Sequence, residues 1–161
     1  MTAYMQPSQT VEWSTPQEFV DGLSEIYGPF TLDVAASDWN HKCEEYFTMK
    51  EDGLQQDWKA DNVWCNPPYG HSVGAWVHKA SKELAAGNCK RVVMLLKSTT
   101  DVRWFHDVAY PKATTIGFVK GRLTFGGRGP APFASVILVF DNERGDQPSC
   151  VQVDRQGKVI S

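Results

Sequence analysis

Residues 62–70 read Asn62-Val63-Trp64-Cys65-Asn66-Pro67-Pro68-Tyr69-Gly70, and this order decides the fold class. The first four residues suit a buried β-strand. The next five cannot continue it, because proline has no N–H to give to a central ladder and two stand in succession. A strand that stops so abruptly opens a loop at its carboxyl end.

Toward the amino terminus, Phe30-Thr31-Leu32-Asp33-Val34 is a second short apolar run, with Asp33 near its carboxyl end. Before it, Thr15 and Pro16 read as the N-cap and first residue of a helix. Its apolar residues Phe19, Val20, Leu23, Ile26 and Tyr27 repeat at helical spacing until Gly28. Residues 1–12 are polar and aperiodic, which predicts a mobile tail. The stretch 35–60 has a weaker pattern, with one short strand expected at Glu45-Tyr46-Phe47 and a turn at Glu51-Asp52-Gly53.

Toward the carboxyl terminus, Ser72 is placed to cap a helix that carries Val73, Trp76, Val77, Ala80 and Leu84 on one face and ends at Gly87. Arg91 to Leu96 is nearly continuous and apolar, as a central parallel strand should be. A further helix is expected from Thr100 or Asp101 through Val108, stopping before Pro111. Strands around Thr115–Val119 and Ser135–Phe140 flank a loop rich in Gly, Pro and Arg, and Val151–Val153 suits an edge strand. Strands alternating with helices predict an α/β domain, a mostly parallel Rossmann-like sheet with helices on both faces. Such sheets bind ligands beyond the carboxyl ends of their strands, where Asp33 and Asn66 both fall.

The chain has 161 residues, of which 42% are hydrophobic, enough for one sizeable core. One domain over residues 13–161 is expected, with no separate target-recognition domain. The opening lacks the basic start and apolar run of a signal peptide, and no stretch approaches about 18 apolar residues. A cytoplasmic protein without membrane contact follows. Cys43, Cys65, Cys89 and Cys150 are scattered and the four histidines form no ligand set, so no metal is expected.

The formal charge of −3 is unevenly distributed. All the arginines lie beyond residue 90, and the segment from Arg91 to Arg128 holds seven bases, including Lys97, Arg103 and Arg122, against Asp101 and Asp107. A polyanion responds to such a local patch rather than to the total, so nucleic acid remains an admissible partner. A merely solvated basic face is the alternative.

Asn-Pro-Pro-Tyr after a buried strand suits a particular chemistry. An amino nitrogen conjugated to a purine is a poor nucleophile, because its lone pair is delocalised. The Asn66 side-chain oxygen and the Pro67 carbonyl can accept its two hydrogens and turn it toward tetrahedral geometry, while Pro67 and Pro68 stiffen the loop. Tyr69 can stack on a base turned out of its helix. A rigid strand-to-helix turn is the structural alternative. Cys65 reads as a core residue in preference to a thiol nucleophile.

At these residues the chain resembles the small phage-type DNA N6-adenine methyltransferases of the Dam family. The resemblance runs from Trp13 to about Phe140. It rests on Trp13-Ser14-Thr15-Pro16, Phe30-Thr31-Leu32-Asp33-Val34-Ala35-Ala36, Asp52-Gly53-Leu54 with Asp57-Trp58, Trp64 to Tyr69, Met94-Leu95-Leu96, Trp104-Phe105 and Gly121-Arg122-Leu123-Thr124-Phe125. It implies a compact class I methyltransferase fold that binds S-adenosyl-L-methionine, releases S-adenosyl-L-homocysteine and methylates adenine N6 in double-stranded DNA, with GATC as the expected site. A monomer or weak dimer is expected.

The same resemblance implies that Asp33 lies near the methionine end of the cofactor and Asp57 near its adenine. Thr15 and Pro16 would line the entrance, and Ala35 and Asn66 would border the site. Lys97, Arg103, Arg122 and Arg128 are the candidate DNA contacts, Arg122 and Arg128 to phosphates or to guanine edges. Two features depart from the usual pattern: the turn Asp33-Val34-Ala35-Ala36 has no glycine, and Asn66 follows Asp33 closely. Methylation of RNA or of a protein amide is a second reading of the same residues. A catalytically inactive DNA-binding relative is a third.

Overall fold

The computed structural model describes residues 14–70, 72–127 and 129–161. The expected tail and Arg128 lie outside the described residues. In chain order the elements are α1 (Gln17–Tyr27), β1 (Leu32–Asp33), β2 (Glu45–Tyr46), β3 (Ala60–Cys65), α2 (Val73–Ala85) and β4 (Cys89–Lys97). A π-helical stretch (Phe105–Ala109) then runs into a short helix α3 (Tyr110–Lys112), followed by β5 (Thr115–Val119), β6 (Ser135–Asp141) and β7 (Ser149–Val153).

Among the described residues these strands form one seven-stranded sheet in the order β2-β1-β3-β4-β6-β5-β7. β6 runs antiparallel to both of its neighbours, and every other pairing is parallel. The carboxyl ends of β1, β2, β3, β4, β5 and β7 therefore share one edge of the sheet, and β6 begins there.

Side-chain alternation divides the central strands between two cores. Val92, Met94 and Leu96 of β4, with Val136, Leu138 and Phe140 of β6, join Trp76, Val77 and Ala80 of α2 and Val108 of the π-helical stretch. Val93, Leu95, Ile137 and Val139 point the other way, onto Phe19, Val20 and Leu23 of α1. Helices thus cover both faces, as the apolar strands require. Each such aliphatic side chain, fully buried, contributes about 1.5–3 kcal/mol.

Helix α1 also packs against the turn after β7. Gly22 lies so close to the Gln156 carbonyl, and Gly157 to that of Phe19, that a Cβ at either would collide with backbone. Gly157 in addition has a positive φ of 76°.

Three local expectations need correction. Thr15 does not cap α1: Pro16 holds the N-cap position with ψ 134° and no side-chain cap, because the Thr15 hydroxyl is engaged elsewhere. Ser72 makes no side-chain cap to α2. The helix after β4 does not stop before Pro111 but passes through it. There the Tyr110 N–H bonds to the Phe105 carbonyl, a π-type step that departs from the i−4 ladder a proline disrupts.

Candidate active site

A cavity of about 240 Å³ opens at the carboxyl edge, where β1 and β3 end. Asp33 and Ala35 border it from the β1 end, and Asn66 to Tyr69 from the β3 end. The parallel pairing of Asp33 with Trp64 sets these two strand ends side by side. The expectation that Asp33 and Asn66 meet at one edge is met by this register.

Asp33 is buried, at 4% exposure. Its Oδ2 accepts the Lys42 N–H at 2.9 Å and its Oδ1 the Ala35 N–H at 3.3 Å. Burial pushes its carboxyl up from an ordinary 3.8 to about 6, against the pull of those two donors and of the nearby Lys42 and His41 charges. A carboxylate held out of water in this way favours a cationic ligand group.

Asn66 is held by a donor bond from its Nδ2 to the Thr15 Oγ at 2.9 Å, which joins the loop after β3 to the start of α1. With the nitrogen end turned to Thr15, the carbonyl end of the amide is set as an acceptor. Thr15 itself is buried and lines the cavity, and its hydroxyl bonds to Asn66 rather than capping the helix. Pro67 is buried and Pro68 half-buried beside it. Pro16 stands next to Thr15 at the start of α1 and is not among the cavity-lining residues.

Tyr69 lines the cavity and is largely buried. Its ring meets Phe133 edge-on, with centroids 5.5 Å apart. The Lys97 ammonium lies 5.8 Å from the Tyr69 ring and 4.8 Å from the Phe133 ring. Lys97 thus sits beside the Asn-Pro-Pro-Tyr loop. Cys65 is fully buried, and burial raises its thiol well above the ordinary range, as suits a core residue.

The remaining wall comes from the turn after β1 and the segment after β2. Ser37 and Asn40 exchange two backbone hydrogen bonds of 3.1 and 3.2 Å, which project Asp38 and Trp39 at the tip. Asp38 accepts the Tyr46 hydroxyl at 3.0 Å, and the Tyr46 ring stacks on His41 at 4.0 Å. Trp39 and Met49 border the cavity yet remain 58% and 47% exposed. Sequence reasoning missed this wall; a Trp between two polar residues, Asp38 and Asn40, was the available signal.

Asp57 lies apart from this group. It is exposed and lines a separate groove with Leu32, Tyr46 and Lys59. Arg103 is exposed beyond β4, and Arg122 is exposed with its Nη1 donating to the Ala131 carbonyl at 3.3 Å. Neither borders the cavity. Among the described residues no group of acids, histidines and cysteines is arranged to hold a metal ion. No helix among them is long and apolar enough to cross a membrane.

A mostly parallel sheet with one reversed strand, an acid at the end of its first strand and an Asn-Pro-Pro-Tyr loop beside it have the arrangement of the class I methyltransferase fold. The chain belongs to the DNA N-6-adenine-methyltransferase (Dam) family, whose model matches residues 4–156. It is 32% identical over 149 residues to the DNA N-6-adenine-methyltransferase of Escherichia phage T1, an alignment that covers 92% of this chain and 60% of that protein. The chain therefore spans well under the full length of that relative. It is also 33% identical over 64 residues to YfdM of Escherichia coli (strain K12), whose name assigns it provisionally to the methyltransferases. That match covers 36% of this chain and 70% of YfdM.

Proposed function

We propose that this chain transfers a methyl group from S-adenosylmethionine to N6 of adenine in double-stranded DNA, with a short site such as GATC the first to test. The observation that carries the reading is the meeting of Asp33 and the Thr15-anchored Asn66 across one cavity. When bound, S-adenosylmethionine supplies a methyl group made electrophilic by its positively charged sulfur.

The residues present fit that group. Asp33 offers a buried carboxylate to a cation, and Trp39 with Met49 offers apolar surface to a flat adenine ring. Asn66 accepts one hydrogen of the target amino group through its Oδ1, and the Pro67 carbonyl accepts the other. Thr15 anchors the Asn66 side chain through its hydroxyl. Tyr69 supports a base turned out of the duplex, because this nitrogen is inaccessible to a side-chain pair inside the stack. Lys97, Arg103 and Arg122 contact the DNA backbone or base edges.

The test is methyl incorporation from labelled cofactor into duplex DNA, RNA and protein, with Asn66→Ala and Asn66→Asp alongside. Alanine removes an acceptor at the reacting nitrogen and should lower turnover ~10²-fold or more with cofactor affinity retained, while aspartate keeps an oxygen and some activity. Parental rates in both variants, or labelling of RNA or protein alone, would overturn the reading.

A further inference from the structure

β5 and β7 are parallel neighbours, and Val119 pairs with Val153 at their carboxyl ends. The residues that follow each strand are therefore brought together: Lys120-Gly121-Arg122 after β5, and Asp154 to Lys158 after β7. The Arg155 side chain lies across Gly121. A Cβ on Gly121 would sit 3.4 Å from Arg155 Cδ and 3.5 Å from its Nε. Gly121 also has a positive φ of 83°, which lets this backbone turn beneath the arginine.

Lys120, Arg122, Arg155 and Lys158 are all exposed. Among the described residues none of the four pairs with a carboxylate. The nearest acid in sequence, Asp154, turns its Oδ1 to its own turn, accepting the Gln156 and Lys158 N–H groups at 2.9 and 3.0 Å. The turn is held rigidly, because Gly157 and Gln156 pack on the backbone of α1. Four cations at neighbouring strand ends exceed the one acid among them and attract an approaching anion.

This cluster lies on the same sheet edge as Asn66. From β3 the edge crosses β4, where Lys97 stands, then β6 and β5, and ends at β7. Four steps at the usual interstrand spacing make about 19 Å. That is about half a turn of duplex DNA.

We propose that the β7 turn forms the far end of a phosphate-binding track, in which Arg155 and Lys158 act with Lys120 and Arg122 on backbone phosphates about half a helical turn from the target adenine. The inference rests on duplex DNA being the substrate. It adds a contact surface from the last described strand, which the basic segment from Arg91 to Arg128 does not contain. Its elements are preformed, so binding the phosphates requires little ordering of the backbone.

The experiment is a salt titration of the binding of a fluorescent duplex to the parent chain, to Arg155→Ala/Lys158→Ala, to Arg155→Lys and to Lys90→Ala. Lys90 lies at the opposite end of β4, near Asp61, and serves as a control for net charge. Each phosphate contact contributes about 0.9 to the log–log salt slope, so the double variant should lose about 2 from that slope. Arg155→Lys should keep the parental slope, and so should Lys90→Ala. Equal slopes in the parent and the double variant, both binding duplex, would overturn the track and leave methyl transfer standing. A parent chain that binds no duplex would overturn the substrate reading, and this inference with it.

Discussion

The Asn66 side chain donates to the Thr15 hydroxyl at 2.9 Å across 51 residues of sequence. This bond ties the loop after β3 to the residue just before the N-cap of α1, and so to the core beneath that helix. Thr15→Val keeps the shape of a buried side chain and removes the partner. The loss should be about 1 kcal/mol of stability, with turnover reduced and cofactor affinity little changed. Thr15→Ser should restore turnover. A valine variant with parental turnover would show that Asn66 is oriented without Thr15.

Asp33 sets a pH dependence. Its carboxyl is raised to about 6, so it is charged above that pH and protonated below it. A cationic ligand group selects the charged form. Cofactor affinity should therefore be full at pH 7–8 and fall as pH drops through about 6, at up to tenfold per unit. Calorimetric titration from pH 7.5 to 5 would measure this, with Asp33→Asn weak and flat over the same range. A pH-independent parent would remove Asp33 from the cation site.

Trp39 projects from a turn closed at its base by Ser37 and Asn40. If its ring stacks on the cofactor's adenine, cofactor binding should change tryptophan emission, and Trp39→Phe should lose most of that signal while retaining affinity. Trp39→Ala should bind roughly tenfold more weakly, consistent with an aromatic stack of about 0.5–1.5 kcal/mol. Unaltered affinity in the alanine variant would place the adenine elsewhere.

Gly22 tests the docking of the β7 turn. Alanine in a helix interior is ordinarily favoured over glycine by about 1 kcal/mol. Here its Cβ would meet the Gln156 carbonyl. Overpacking of about 1–3 kcal/mol should outweigh the propensity, so Gly22→Ala should lower the melting temperature by several degrees. A higher melting temperature would mean that the turn yields without loss.

The parts of this molecule readable from sequence are those that bury apolar surface at a regular period. β4 and β6 announce themselves as apolar runs because both faces of the sheet are covered, and Asn66-Pro67-Pro68-Tyr69 because prolines end a central strand. Apart from β2, which the sequence marks at Glu45 to Phe47, the wall from Ser37 to Lys50 obeys no such period. It is held by single hydrogen bonds, Lys42 to Asp33, Tyr46 to Asp38 and Thr48 to Glu51, which leave no pattern in the chain. Thr15 illustrates a different limit, since Thr-Pro before an amphipathic run reads as a cap, and only the fold brings Asn66 to its hydroxyl. The nearness of Arg155 to Gly121 likewise exists only through the pairing of β5 with β7.

The contact between α1 and the β7 turn also orders the events of folding. Phe19, Val20 and Leu23 leave the ribosome early, yet the surfaces that cover them include Val119, Leu123, Val139 and Val153. Until that distant sequence is synthesised, the apolar stripe of α1 has only part of its native cover, including Trp64, Val93 and Leu95, and Thr15 precedes a helix not yet fully seated. Contacts so far apart in the chain slow folding and expose the early helix to chaperones or to self-association. The setting of Asn66 by Thr15 thus depends on packing against sequence synthesised long after either residue.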